Sequence, residues 1–134
     1  MNIINALDGQ YEGFGNWYDS AGNKMKYSVS QDNRVTDNGL EIHFKHNFED
    51  GTVTDASLVM TQIAPFIFRL GIGTKDVGRG YCIADSCHYY LKTGEAYVEV
   101  SYRPTAEGIQ VNGSSTKNAD GNYIAWHEEL RRCR

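Results

Sequence analysis

Histidine is the side chain whose unperturbed pKa lies nearest neutrality, so the four histidines of this 134-residue chain are the natural place to look for acid/base chemistry. His46 lies on the apolar phase of a stretch at 40–48, where Leu40, Ile42, Phe44 and Phe48 alternate with Glu41, His43, Lys45 and Asn47. Asp50-Gly51 follows as a hairpin signal. With a two-residue or four-residue loop, the register sets Phe48 opposite Val53, Ile42 opposite Val59 and His46 opposite Asp55. A carboxylate beside an imidazole favours its charged form and fixes its tautomer. Lining a cavity, such a pair could hold a polar head group, or act as acid and base in an isomerase or cyclase reaction. The bland alternative is a satisfied core histidine.

A second polar and aromatic set lies at 79–90. Pairing Cys82 with Cys87 places Arg79 opposite Tyr90 and Tyr81 opposite His88, and sets Gly80 and Gly78 against Tyr89 and Leu91. The face made of Arg79, Tyr81, His88 and Tyr90 reads either as a solvated surface with cation–π stacking or as a pocket wall with an anion partner and phenol donors. Cys82, Cys87 and His88 have the ligand types of zinc, but no second Cys-x2-Cys or His-x3-His element completes four ligands, so no metal is expected. Gly113 to Asn118 is rich in Ser and Thr, lacks the P-loop spacing, and reads as a polar strand end.

The elements that must position these residues are strands. β-branched and aromatic residues alternate with period two and are broken every 8 to 12 residues by Gly, Asp or Asn, the spacing of barrels and sandwiches. Strands are predicted at 10–18, 24–31, 40–48, 66–72, 77–82, 87–91, 96–103, 109–117 and 123–132, with a further strand following Asp50-Gly51 and one possible helical turn at 3–8. In the first hairpin the turn at 19–23 pairs Trp17 with Met25, Gly15 with Tyr27 and Gly13 with Val29, so each glycine leaves room for a partner side chain or for sharp coiling. Short turns between consecutive strands imply a meander, and closing it on itself removes both sheet edges. The predicted fold is all-β: a single antiparallel up-and-down barrel of about eight to ten strands, filling residues 1–134 as one domain.

Composition narrows the function. Nine Tyr, five Phe and two Trp beside only two Pro suit a folded, aromatic-rich domain. The 13 basic residues are interspersed with 17 acidic ones, against nucleic-acid binding, and the terminal run Arg131, Arg132 and Arg134 reads as solubilising the chain end. No apolar run approaches the roughly 20 residues of a membrane-spanning helix. Met1 to Leu7 lacks the basic and apolar regions of a secretory signal, so the expectation is a soluble cytoplasmic protein whose Cys82, Cys87 and Cys133 are thiols.

The stretch Gly15-Asn16-Trp17-Tyr18 resembles the Gly-x-Trp-Tyr element of the first lipocalin strand, and Leu7-Asp8-Gly9-x-Tyr11-x-Gly13-x-Gly15 is similar to the opening of lipocalin-like bacterial barrels and nitrobindins. The resemblance, which covers about two dozen residues at the two ends, implies a calycin-type barrel in which a basic residue of the last strand, Arg131 or Arg132, packs over Trp17. Only five residues separate Tyr18 from Lys24, which leaves no room for the helix pair of fatty-acid-binding proteins. The nitrobindin likeness also implies a haem alternative through His127, although the apolar phase of Ile124, Trp126 and Leu130 turns that residue outward.

The leading expectation is a barrel that binds a small apolar or amphipathic molecule, with aromatic walls from Trp17, Tyr27, Phe44, Phe68 and Tyr102 and polar contacts from His46, Asp55, Arg79, Tyr81 and His88. No residue set forms a catalytic signature, and no cofactor other than the haem alternative is implied. Ligand identity and oligomeric state leave no mark in the sequence.

Overall fold

A computed structural model describes residues 3–116 and 123–133. A single helical turn, α1 (Ile3–Ala6), precedes ten strands: β1 (Gly9–Asp19), β2 (Lys24–Thr36), β3 (Gly39–Phe48), β4 (Val53–Ala64), β5 (Ile67–Ile72), β6 (Lys75–Ile83), β7 (Ser86–Thr93), β8 (Ala96–Pro104), β9 (Gly108–Thr116) and β10 (Tyr123–Arg132). Each strand pairs antiparallel with its neighbour in sequence, and β10 pairs back onto β1, closing the barrel. The alternation read from the sequence therefore has an inside and an outside. Leu40, Ile42, Val29, Met60, Leu70, Ile109 and Leu130 face in and are buried. Lys117 at the end of the predicted 109–117 strand, Asn118, and Asp120-Gly121, which the sequence marks as the turn before 123–132, lie outside the described residues.

The first hairpin has the predicted register, with Trp17 opposite Met25, Gly15 opposite Tyr27 and Gly13 opposite Val29. β2 runs beyond residue 31 because Gln31 and Asn33 keep the inward phase although they are polar; Gln31 Nε2 donates to Asn33 Oδ1 at 3.0 Å and Asn33 Nδ2 to the Leu7 carbonyl at 3.0 Å. A buried polar side chain satisfied in this way keeps its place in a core.

The β3–β4 register is displaced by one residue from the expected one: Asn47 lies opposite Val53, His46 opposite Thr54 and Ile42 opposite Leu58. Phe48 N donates to the Thr52 carbonyl, and three residues, ending in Gly51 at φ +87°, make the loop. An odd-length loop with glycine in the left-handed region is a common hairpin solution, and it shifts the pairing by one relative to a two- or four-residue turn. β3 keeps its predicted inward face, but β4 is turned over: Leu58 and Met60 face in, whereas Val59, expected opposite Ile42, faces out.

α1 and the turn after it close one end. Ile4 and Leu7 are buried, and carbonyls left free at the helix end find donors: Tyr11 Oη donates to Leu7 O at 3.0 Å, Arg132 Nη2 to Ala6 O at 3.1 Å, and Arg132 Nη1 to Asp8 O. The Arg132 guanidinium also stands 5.0 Å from the Tyr11 ring centroid. This corrects the expectation that Arg131 or Arg132 covers Trp17. Antiparallel pairing sets Arg132 opposite Tyr11 and Trp126 opposite Trp17, six positions or roughly 20 Å further along β1. Arg131 pairs with Glu107 on the surface at 3.1 Å.

Cys82 and Cys87, expected as thiols, are joined by a disulfide across β6 and β7 and lie inside, whereas Cys133 is exposed and unbonded. A Cβ at Gly13 would meet the backbone carbonyl of Glu129 on β10, so the two strands approach more closely there than any side chain permits. At Gly71 the nearest atom to a Cβ would be 3.4 Å away. Gly13→Ala is therefore expected to destabilise the protein by about 1–3 kcal/mol, and Gly71→Ala to change stability by less than about 0.5 kcal/mol, measured by urea unfolding of both variants beside the parent.

Candidate functional site

Three consecutive strands place Tyr27, Gly15 and Glu128 in one transverse row, because Gly15 of β1 pairs with Tyr27 of β2 on one side and with Glu128 of β10 on the other. With no side chain at Gly15, the Tyr27 ring lies over it: a Cβ there would be 2.5 Å from Tyr27 Cζ and 2.8 Å from Glu128 Cγ. Tyr27 Oη reaches across and donates to Glu128 Oε2 at 2.8 Å. Continued through Val111, the same row reaches Tyr102 of β8, whose hydroxyl lies 3.2 Å from that of Tyr89. His46 enters from β3, its Nε2 3.5 Å from Glu128 Oε2 and its ring between Tyr27 and Phe44, with centroids 4.7 and 4.8 Å away.

Above this polar row is a cavity of about 760 Å³. Trp17, Trp126, Phe44, Phe48, Leu91 and Val98 supply much of its apolar wall. The closed end lies beneath α1; the opposite end carries Gly73 and Thr93 on its rim. A side opening adjoins that rim. β5 is only six residues long, so β4 pairs with it from Val59 onward and residues 53–58 have no partner on that side. Asp55, Ala56 and Ser57, three residues in succession, therefore border the cavity together with Ile72.

Burial sets the charges. It pushes the His46 imidazole down to about 4 from 6.5, and the Glu128 carboxyl up to about 7 from 4.5, the hydrogen bond from Tyr27 and the charge of His127 opposing the latter only in part. Two opposite charges 3.5 Å apart would attract, but desolvation of both outweighs that attraction here, and between about pH 4 and pH 7 the neutral pair is the stable one. Burial also raises the phenols, Tyr102 to about 12, and Tyr27 and Tyr89 well above their ordinary value. The interior thus presents hydroxyl donors around one carboxyl group that titrates near neutrality.

Of the residues expected from sequence to line a site, Trp17, Tyr27, Phe44, His46 and Tyr102 converge on this cavity. Asp55 stands on its rim and does not meet His46; its carboxylate binds His43 Nε2 at 2.6 Å on the outer face. The imidazole–carboxylate pair exists, but the three-residue loop gives it to the outward histidine, and the expected His46/Asp55 acid-base pair is not built. Phe68 is buried toward the closed end, away from the cavity walls. Arg79, Tyr81 and His88 have the expected cross-strand partners but face outward, with Arg79 bound to Asp76 and Tyr81 stacked on His88. Since Cys82 and Cys87 point inward and His88 outward, the three do not converge as ligands. His127 faces out as its phase indicated, hydrogen-bonded to Asn112 and Glu129, so the nitrobindin-type position for a haem ligand is not inside the barrel.

Glu128 is the residue that sequence reading missed. Its signal was present: it lies two residues from both Trp126 and Leu130, in the inward phase of β10, and Gln31 is placed likewise on β2.

No protein-family model and no curated protein matches the chain. Among solved structures it is similar to an S-type phycobiliprotein lyase from Guillardia theta, with a TM-score of 0.82, 11% identity, and coverage of 100% of this chain and 94% of that one. It is also similar to a de novo designed fluorescence-activating β-barrel, with a TM-score of 0.51, 16% identity, and coverage of 99% of each chain. These likenesses establish a lipocalin-like barrel fold.

The raised carboxyl has a definite sign in stability. A folded-state value of about 7 against 4.5 means that the folded protein keeps a proton the unfolded chain releases, so Glu128 subtracts from stability as pH rises through that window. His46, lowered from 6.5 to about 4, acts oppositely and subtracts as pH falls. Glu128→Gln removes the first contribution alone. The stability difference between that variant and the parent is expected to shift in favour of the variant by about 3 kcal/mol between pH 4 and pH 8, read from urea unfolding at each pH; a constant difference would contradict a buried, perturbed carboxyl.

Proposed function

We propose that this barrel binds a small amphipathic organic molecule in its interior, with the apolar body between the tryptophans and phenylalanines and a polar end at the Tyr27, His46 and Glu128 cluster. The observation that carries this reading is the cavity of about 760 Å³, which is within the range of small-molecule sites and is walled by apolar groups with a few converging polar ones. A barrel whose sole task was to be stable would gain by filling such a space, since unfilled volume costs packing energy. The gap beside β4 supplies a route in that needs no strand to separate. Two barrels of similar fold, one named as a phycobiliprotein lyase and one as fluorescence-activating, support treating the interior as the working part of the molecule.

Both tryptophans of the chain, Trp17 and Trp126, line the cavity, which makes the protein its own reporter. Nile red, a neutral apolar dye, is expected to gain fluorescence with the protein and to accept energy from tryptophan excited in the same barrel. Val98→Trp, which places a large ring in the cavity, is expected to weaken this response at least about tenfold. A parent protein that leaves Nile red unchanged, and that carries no small molecule in native mass spectrometry, would refute binding in the barrel.

A further inference from the structure

The charges around the cavity are one-sided. Its ionisable lining consists of His46, Asp55, Glu128 and the phenols Tyr27, Tyr89 and Tyr102; among the described residues no lysine or arginine reaches it. Three cations of the strands that flank β1 are held away from the cavity. Lys26 stands over the outward Phe14 ring at 4.6 Å, Lys24 over Tyr18 at 5.8 Å, and Arg132 is tied to the closed end. Within, the Glu128 side chain is 3% exposed. Its Oε2 receives the Tyr27 hydroxyl, while among the described residues no hydrogen bond reaches Oε1.

The groups facing Glu128 can be taken element by element. β1 offers only Gly15 and β9 only Val111, whereas β2 offers Tyr27 and β3 His46. The hydroxyls of Tyr89 on β7 and Tyr102 on β8 sense its charge, and His127 of its own strand faces out. None of these is a cation inside the barrel at neutral pH, since burial keeps His46 uncharged. The carboxyl thus has donors for neighbours but no counter-ion.

The walls have the same polarity. Trp17, Phe44, Phe48 and Trp126 surround the space, and the face of an aromatic ring is its negative part. Asp55 borders the side opening, but its carboxylate is turned to the outer face and engaged by His43, so the charge selection falls to the interior. An anionic head group entering here would lie among ring faces and meet the Glu128 carboxyl with no cation to offset it. A protonated amine would find attraction at each of those points.

Resting on the reading of the barrel as a ligand-binding protein, we infer that its cavity selects molecules with a protonated amine or amidine on an apolar or aromatic body, Glu128 serving as the counter-ion, and discriminates against fatty acids of equal length. Binding of the cation requires the ionised carboxylate, so affinity rises with pH until Glu128 is ionised without help and levels off above about 7.

Displacement of Nile red from the full chain by decylamine, decanol and decanoic acid tests this. At pH 8, decylamine is expected to displace the dye at a concentration at least about tenfold lower than decanoic acid, since one close charge pair in a desolvated site is worth that much or more. The advantage of decylamine over decanol is expected to fall by up to about tenfold per pH unit below 7, and Glu128→Gln to remove both the preference for the amine and its pH dependence. If Nile red and decanol bind the parent but decanoic acid displaces as well as decylamine, the charge selection is wrong and the binding function stands. A pH-independent amine preference in the parent overturns the assignment to Glu128, with or without a well-folded variant. If Nile red itself does not bind, the ligand-binding reading fails with it.

Discussion

β1 is hydrogen-bonded on both sides, to β2 through a short hairpin and to β10 across the two ends of the chain, and this closure gives the sheet an interior. An open meander of ten strands would expose two edges and leave its apolar face against water. The strand that closes the ring has to coil sharply between two neighbours, and its composition answers that need: Gly13 lets β10 come close, and Gly15 leaves the gap that Tyr27 crosses. The same absence of a side chain that permits closure brings a phenol from one neighbour to a carboxyl from the other.

That contact explains why Glu128 is tolerated inside. An isolated ionised carboxylate in an apolar interior is very costly, and proteins avoid the cost by pairing the charge or neutralising it. Here no cation is supplied, so the carboxyl keeps its proton to an unusually high pH, with Tyr27 donating to one oxygen. His46 adjusts in the opposite direction for the same reason. A buried polar group of this kind is a poor stabiliser, and a hydrophobic residue in its place would pack as well. The proposed binding function gives it a reason to stand beside the cavity that folding stability does not.

The two ends of the barrel divide the labour. At the closed end, α1, Leu7, Tyr11, Asn33 and Arg132 form a fully satisfied plug in which helix-end carbonyls find side-chain donors. At the other, β5 is too short to pair with all of β4, and the sheet parts beside Asp55. The outward aromatic faces, including the stacked pairs Tyr81–His88 and Tyr90–Tyr97, belong to neither end. They cover the outside of the central strands.

The period-two pattern by itself determined that the chain is a meander of strands, which side chains of each strand share a face, and the pairing of hairpins whose turns are unambiguous, such as Trp17 with Met25 and Cys82 with Cys87. These are local properties, set by alternation and turn length within one or two strands. Tertiary structure decided what depends on more distant partners. A single residue in the β3–β4 loop moved Asp55 from His46 to His43; the choice of inside for β6 and β7 sent Arg79, Tyr81 and His88 to the surface; and ring closure placed Glu128 within reach of Tyr27, 101 positions away in the chain. Alternation fixes a side chain's face only relative to its own strand, so which face is the interior, and what meets there, is known only once the sheet has closed.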